Sequence, residues 1–287
     1  PTILGHEFAG LVEQVGPGVR SVKVGDRVCV DPNQLCGRCE YCRSGIGHFC
    51  EHMVGIGTTV NGGFAQYCAV NESQVYHLSE GTSYEQGAMC EPVACCLHGI
   101  DLCEIKPSSV VLVIGGGMIG LLMVQLARLS GASQVILLEP VESKREMGLK
   151  LGADHAFDPL KQDIPGELQK IGVRRVSTVI ECVGRVSTLQ QAISLAGKDS
   201  VVMMFGLTKP DDELSIKPFE IFQKEIVLKA SFINPYTQQR ALDLINSGRI
   251  DVSSMVAEVA PLSKLEAILS DPALRAKGKY IIGPWKE

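Results

Sequence analysis

Apolar residues follow two different patterns along this chain of 287 residues, and the change comes near residue 91. Before it, short apolar and β-branched runs are separated by glycine, proline and asparagine, a pattern that predicts strands joined by turns. The predicted strands are Leu11–Val15, Val22–Val30, Phe64–Val70 and Gln74–Leu78. The first part of the chain is therefore predicted to form a β-rich lobe.

After residue 91, strand-like and helix-like runs alternate, which predicts βαβ units and a parallel sheet covered on both faces. The predicted strands are Val110–Ile114, Gln134–Glu139, Val176–Glu181, Ser200–Phe205 and Ile226–Lys229. The helices predicted between them are Met118–Leu129, Glu142–Leu151, Gln162–Ile171 and Ser187–Leu195. The tail adds predicted helices at Gln238–Ser247 and Leu262–Leu269 and a closing strand at Lys279–Ile282.

The charge balance narrows the possible partners. Lys and Arg number 27 against 32 Asp and Glu, for a net charge of −5, and no basic tract interrupts the chain. Neither a nucleic acid nor an anionic membrane is therefore expected as a partner. The uncharged stretch 110–127 holds three consecutive glycines, which predicts a strand, a turn and a helix rather than a membrane span. Since no signal-peptide pattern opens the chain, we expect a cytoplasmic protein.

Four of the eleven cysteines lie within fifteen residues, in the pattern Cys36-x2-Cys39-x2-Cys42-x7-Cys50. Two-residue spacings let consecutive thiolates converge from one turn, and structural zinc takes four such ligands in a closed shell. The charged residues between them argue against buried free thiols. An iron–sulfur cluster also uses four thiolates and stays an alternative. We predict a structural zinc site that braces this loop.

A glycine-rich turn follows the predicted strand Val110–Ile114 and opens a helix. In Gly115-x-Gly117-x-x-Gly120 the glycines allow the tight turn, the approach of a pyrophosphate and close helix packing, while the helix N-terminus offers N–H groups. Glu139 follows Gly120 by 19 positions, the offset of a carboxylate that binds the ribose 2′-hydroxyl of NAD. We therefore predict an NAD site, with a glycine-rich turn of an unrelated protein as the alternative. Its predicted residues are Gly115, Gly117, Met118, Ile119, Gly120, Glu139, Lys144 and Phe205; the basic Lys144 and Arg145 leave NADP open.

The remaining candidate chemistry lies in two short segments, Gly5-His6-Glu7-Phe8 and Met89-Cys90-Glu91-Pro92. Together with the motifs above, the chain resembles the zinc-dependent medium-chain dehydrogenases, specifically their polyol (sorbitol, iditol, arabitol) branch. The resemblance spans essentially all residues and is carried by LGHEFAG, VGPGVRSVKVGDRV, CGRCEYCRSGIGHFC, NGGFAQY, CEPVACCLHGI, VLVIGGGMIG and SFINPY.

The resemblance implies an α/β protein with a GroES-like β-rich catalytic domain at 1–92 and 232–287 and a Rossmann domain at 93–231. It implies that His6, Glu7 and Glu91 are catalytic and hold a catalytic zinc, with Cys90 as the alternative to Glu91. His98, on the helix after Glu91, is either a packed helix residue or a proton relay. The implied reaction is hydride transfer from a polyol or other secondary alcohol to NAD.

Two departures from the family pattern bear on these expectations. The family carries a further N-terminal segment with a cysteine ligand of the catalytic zinc, so we expect a truncated chain that lacks this ligand. Animal sorbitol dehydrogenases carry an Arg-Tyr pair after the position of Phe232, where this chain has Ile233 and Asn234. The substrate is therefore not inherited as sorbitol.

Two further functions remain as alternatives: an L-threonine dehydrogenase-like amino-alcohol enzyme and a non-catalytic NAD-binding relative. The presence of His6, Glu7 and Glu91 argues against the second. The expected partners are a small alcohol substrate and further copies of the chain. The family precedent predicts a homo-oligomer, a tetramer or a dimer, with 226–229 as a candidate edge strand.

Overall fold

A computed structural model gives the fold, and the structure describes residues 1–286. The chain divides into two compact units, the first formed by 1–95 and 233–287 and the second by 96–232. The first unit contains β1 (Ala9–Leu11), β2 (Arg27–Val30), β3 (Asn33–Gln34), α1 (Glu40–Arg43), β4 (Val54–Gly55), β5 (Val75–His77) and α2 (Tyr84–Ala88). Helix α3 (Cys90–Cys103) begins in this unit and ends in the second.

The second unit alternates strands and helices. They are β6 (Val110–Ile114), α4 (Met118–Leu129), β7 (Gln134–Leu138), α5 (Glu142–Lys150), β8 (His155–Phe157), α6 (Ile164–Lys170), β9 (Thr178–Glu181), α7 (Val186–Leu195), β10 (Val201–Met204), α8 (Pro218–Lys224) and β11 (Val227–Ala230). The first unit then resumes with α9 (Gln238–Asn246), β12 (Val256–Pro261), α10 (Leu265–Ser270), α11 (Pro272–Arg275) and β13 (Lys279–Gly283).

The six strands of the second unit form one parallel sheet in the order β11-β10-β9-β6-β7-β8. Strand β6 lies between β7 and β9, so the strand order reverses there, at the point where doubly wound sheets bind their ligands. Val111 to Ile114 are almost completely buried because helices cover both faces of the sheet. Each such buried aliphatic side chain contributes about 1.5–3 kcal/mol to folding.

The first unit has smaller sheets. Strand β2 pairs antiparallel with β1 and β5, β3 pairs with β4, and β12 pairs parallel with β13. Because β1 and β2 are antiparallel, with Ala9 opposite Cys29, the residues before β1 and after β2 lie at the same end of the strand pair. This pairing places two distant sequence segments beside one another.

The sequence predicted the second unit more closely than the first. The strand predicted at Phe64–Val70 is wrong, because the backbone N–H groups of Gly62, Gly63 and Phe64 donate to residues 3–5 and form no ladder there. The strand predicted at Val22–Val30 begins at Arg27, since a turn with Gly25 at φ +92° precedes it. Of the residues predicted at Leu11–Val15, Leu11 alone is in a strand.

Several elements were not predicted from the sequence, among them helix α8 and strands β8 and β12. Their segments are short or mostly half-buried, so the apolar periodicity that marks longer elements is weak in them. None of the helices within residues 1–286 combines the length and apolar character that crossing a bilayer requires.

Candidate functional site

The four cysteines of the predicted metal loop come together. One sulfur atom from each of Cys36, Cys39, Cys42 and Cys50 lies within 4.8 Å of the other three. Helix α1 and a short 3-10 turn at Gly47–Phe49 fold the loop back on itself. The N–H of Cys36 donates to the Cys50 sulfur at 3.3 Å, and the N–H of Cys39 donates to the Cys36 sulfur at 3.3 Å.

The electrostatics of this cluster fit a divalent cation. Backbone N–H groups of Arg38 and Cys39 lower the pKa of Cys36 to about 6, which favours the thiolate. Burial and the neighbouring thiols raise the pKa of Cys42 to about 12. Four thiolates this close repel one another strongly, and Zn²⁺ relieves this repulsion while it uses all four sulfur atoms.

The second candidate cluster joins His6 and Glu7, before β1, to Glu91 in the first turn of α3. Their ligand atoms all lie within 4.8 Å of one another, although 84 positions separate Glu7 from Glu91. Burial and the charge of Lys279 lower the pKa of His6, which favours the neutral imidazole that binds metal ions. One imidazole and two carboxylates are donors that suit zinc, so the residues present fit a catalytic metal.

Glu91 is 7% exposed. Burial raises its pKa to about 7; a hydrogen bond from the Cys95 thiol at 3.1 Å opposes this rise, and the negative charge of Asp31 adds to it. Cys90, the alternative ligand, is completely buried and its sulfur faces the carbonyl oxygen of Gln238 at 3.5 Å. The cluster that the structure brings together therefore contains Glu91 rather than Cys90.

Lys279 belongs to this site and was not predicted from the sequence. It lies at the start of β13, and its ammonium group donates to Glu7 Oε2. Burial lowers the pKa of Lys279 to about 8, so the side chain is still cationic at neutral pH. No local pattern marks this lysine, because its contact with Glu7 joins positions 272 residues apart in the sequence.

The glycine-rich turn has the shape that a dinucleotide needs. Gly115 adopts φ +103°, which favours glycine. A Cβ on Gly120 would lie 1.7 Å from the carbonyl oxygen of Gly115, whereas a Cβ on Gly117 would meet nothing within 4 Å. The turn is thus closed towards the sheet and open at the N-terminus of α4, which leaves room for a pyrophosphate beside free N–H groups.

Glu139, after β7, is held by the main chain. Its two carboxylate oxygens accept hydrogen bonds from the N–H groups of Gly116 at 2.7 Å and Val141 at 2.8 Å. A Cβ on Gly116 would lie 2.8 Å from Glu139 Cγ, so glycine at position 116 leaves room for the Glu139 side chain. The carboxylate is fixed beside the turn, where a ribose is expected.

The other predicted cofactor residues differ in how the structure places them. Met118 and Ile119 are half-buried in the first turn of α4, and Lys144 is half-buried on α5. Arg145, rather than Lys144, contacts the Glu139 segment, donating to the carbonyl oxygens of Glu139 and Pro140 at 2.8 Å each. The roles of these residues at a cofactor stay predictions.

The predicted role of Phe205 at the cofactor and the two predicted roles of His98 stay predictions. The N–H of Phe205 donates to the carbonyl oxygen of Glu181 at 3.0 Å, and a Cβ on Gly99 of α3 would lie 2.8 Å from the Phe205 ring. His98 is half-buried on α3.

Glu181, which organises the loop after β9, was not predicted from the sequence as a functional residue. It is completely buried, and its carboxylate accepts from the N–H groups of Val183 and Gly184 and from the Thr188 hydroxyl at 2.7–3.0 Å. The available signal was a glutamate at the end of a buried strand with a glycine, Gly184, three positions later.

Comparisons with known proteins agree with these features. A family model described as an alcohol dehydrogenase GroES-like domain matches residues 1–80, and one described as a zinc-binding dehydrogenase matches residues 118–247. D-arabinitol dehydrogenase 1 of Uromyces fabae is 32% identical over 99% of this chain and 82% of its own length. D-arabitol-phosphate dehydrogenase of Enterococcus avium is 33% identical over 92% of this chain and 76% of its own.

Among solved structures, one from Sinorhizobium meliloti 1021, described as a zinc-binding dehydrogenase bound to NADP, superposes with a TM-score of 0.95. It is 39% identical, and the match covers 99% of this chain and 84% of that one.

Proposed function

The chain belongs to the zinc-dependent medium-chain dehydrogenases of the polyol branch, and from this premise we propose that it oxidises a secondary hydroxyl of a polyol to a ketone with NAD. The observation that carries this proposal is the convergence of His6, Glu7 and Glu91. A protein that merely bound a nucleotide would not need this cluster.

The two metal sites have different roles in this proposal. Cys36, Cys39, Cys42 and Cys50 would hold a structural zinc, and His6, Glu7 and Glu91 would hold the catalytic one. When bound, the catalytic zinc supplies Lewis acidity that lowers the pKa of an alcohol, and the nicotinamide supplies the hydride acceptor.

The side chains of the first unit prepare the metal site. Burial keeps the His6 imidazole neutral and able to donate its lone pair. Lys279 contacts the Glu7 carboxylate and thereby limits how strongly Glu7 would bind the metal. Glu91, buried at the start of α3, contributes the second carboxylate of the cluster.

The second unit supplies the cofactor site. N–H groups at the start of α4 would bind the pyrophosphate, with Met118 and Ile119 in the first turn and Gly115, Gly117 and Gly120 shaping the approach. The Glu139 carboxylate would accept hydrogen bonds from the ribose hydroxyls and repel a 2′-phosphate. This charge supports NAD over NADP, although the similar structure from Sinorhizobium meliloti 1021 is bound to NADP.

We further assign 1–92 and 232–287 to the catalytic domain and 93–231 to the cofactor domain. A homo-oligomer is part of the proposal because β11 is the outermost strand of its sheet and Val227 on it is 48% exposed. Phe219 and Phe222 on α8, the helix that precedes β11 in the chain, are also exposed. A cytoplasmic location also stays a prediction from the sequence.

The test is NADH formation by the purified, zinc-loaded protein with pentitols, hexitols, vicinal diols and threonine, each with NAD and NADP. Turnover of a polyol class with NAD is expected. Turnover with threonine alone would favour the amino-alcohol alternative, and zinc and NAD binding without any turnover would favour the non-catalytic one.

A further inference from the structure

The first unit contains a polar cavity of about 290 Å³ that none of His6, Glu7 and Glu91 lines. Its volume is near the lower end of the range for small-molecule sites, which suits a molecule of pentitol size better than a nucleotide. The polar side chains that line it include Asp31, Asn33, His48, Gln74, Tyr76 and Asn234.

Hydrogen bonds hold the walls of this cavity in place. Asn33 Nδ2 donates to Asn234 Oδ1 at 2.7 Å, and Asn234 Nδ2 donates to Asp31 Oδ1 at 3.3 Å. Gln74 Nε2 donates to the backbone carbonyl oxygen of Asp31 at 2.8 Å, while its buried Oε1 accepts no hydrogen bond from residues 1–286. Segments 31–34, 74–76 and 233–236 are thereby joined around one space.

The cavity lies at the same end of the β1–β2 pair as the candidate catalytic cluster. Asp31 directly follows β2, and His6 and Glu7 shortly precede β1, with the N–H of Val30 donating to the carbonyl oxygen of Phe8. Because Ala9 pairs with Cys29 and the N–H of Val30 donates to Phe8, Glu7 and Asp31 are the next residues of the two facing segments. A substrate whose reacting carbon lies at the cluster is therefore near enough for its far end to meet Asp31.

The charge of the cavity is negative. Among its described lining residues there is no lysine or arginine, and Asp31 is the acidic one. Lys279, the cation of the catalytic cluster, is occupied by Glu7.

The negative charge of the cavity distinguishes neutral polyols from phosphorylated ones, which overall sequence similarity does not. The chain is 32% identical to an enzyme named for a neutral pentitol and 33% identical to one named for a pentitol phosphate. Recognition of a phosphate or carboxylate relies on arginine, lysine or a similar cation. A carboxylate and side-chain amides instead suit hydroxyl groups, which can donate as well as accept hydrogen bonds.

We propose that this cavity binds the hydroxyl groups remote from the reacting carbon, and that Asp31 selects neutral polyols against phosphorylated or carboxylated ones. The inference rests on the proposed polyol oxidation and names its substrate class. Asn33 and Asn234 position the Asp31 carboxylate through their hydrogen bonds to it and to each other.

The test measures calorimetric binding of D-arabinitol, its phosphate ester and D-arabinonate to the zinc-loaded enzyme with NADH. The wild type should bind the neutral polyol at least roughly tenfold more tightly than either anion, as expected for one nearby unit charge. Asp31→Asn keeps the hydrogen-bonding shape and should reduce this preference about tenfold. Asn33→Lys adds a cation to the wall and should favour the phosphate ester.

The matched control is Asp211→Asn, which removes the same charge from an exposed position outside the cavity and should leave the preference unchanged. Equal or tighter binding of the anions by the wild type, equal effects of the two Asp→Asn variants, or binding of none of the three ligands would each overturn the inference. Neutral-polyol selectivity without NADH formation from any polyol would instead contradict the proposed function alone.

Discussion

The ammonium group of Lys279 donates a hydrogen bond to the carboxylate of Glu7, across 272 positions of sequence. Lys279 is cationic at neutral pH, since its pKa is about 8, and it lies beside the proposed catalytic metal site. A cation there both competes for Glu7 and repels a metal ion. The pair therefore sets how strongly Glu7 takes part in metal binding.

We expect Lys279→Met to bind zinc at this site roughly tenfold more tightly, because one unit charge close to the metal is removed. The zinc affinity is measured by competition with a chromophoric chelator, which does not depend on turnover. Lys277→Met removes an exposed lysine two positions away and should have no effect. Unchanged or weaker zinc binding by the Lys279 variant would contradict this role.

Cys42→Ser is expected to remove the structural metal. The loss of one of four thiolates should lower the free energy of unfolding by on the order of 3 kcal/mol, a fraction of what a structural zinc contributes. Metal content by mass spectrometry should fall by one zinc per chain, and Tm should fall with it. Cys68→Ser, which changes a cysteine outside the cluster, should retain the metal; equal losses in both variants would argue against the site.

Glu139→Gln is expected to weaken discrimination between the two nicotinamide cofactors. The amide keeps the size of the side chain but removes the charge that repels a 2′-phosphate, so the Kd for NADPH should fall by roughly tenfold. Calorimetric Kd values for NADH and NADPH give the ratio directly. Glu142→Gln, at the start of α5, serves as the control. An unchanged ratio of the two Kd values in Glu139→Gln would show that this carboxylate does not determine cofactor specificity.

Val227→Lys is expected to dissociate the proposed oligomer. A lysine on an edge strand places a charge where a second sheet would have to pair. Light scattering should then report a smaller mass than for the wild type. Leu160→Lys changes a side chain that is 81% exposed elsewhere in the second unit and should keep the wild-type mass; a monomeric wild type would reject the oligomer itself.

Asp31→Asn is expected to stabilise the fold at neutral pH, with a gain that disappears in acid. Burial raises the pKa of Asp31 above its ordinary value of 3.8, even though hydrogen bonds from Asn33 and Asn234 oppose the rise. The folded state therefore keeps the proton to higher pH than the unfolded state, and the free energy of unfolding falls as pH rises from 3.8 through the folded pKa.

The asparagine variant lacks this loss. Its Tm should exceed that of the wild type at pH 7, and the difference should shrink towards zero as the pH approaches 3.8. Thermal unfolding across this range, with Asp211→Asn alongside, checks the sign. A variant less stable than the wild type at pH 7 would mean that the charge of Asp31 is needed by the cavity walls.

Features that depend on neighbouring residues could be predicted from the sequence. The spacing of Cys36, Cys39, Cys42 and Cys50 is short enough that local turns bring the sulfur atoms together, and the structure has them within 4.8 Å. The same holds for Gly115 and Gly120, since β6 and α4 have the bounds that the apolar pattern predicts. Long buried strands and helices leave a strong periodic signal.

Features that depend on distant segments were decided by the tertiary structure. Long-range packing brings Lys279 to Glu7 and Glu91 to His6, which no local periodicity encodes. The Asp31–Asn33–Asn234 network joins segments about two hundred positions apart. The sequence by itself determined the two architectures, the metal loop and the dinucleotide turn, because their signals are local; the charge of the polar cavity and the cation beside Glu7 arise from long-range packing, which only the folded chain contains.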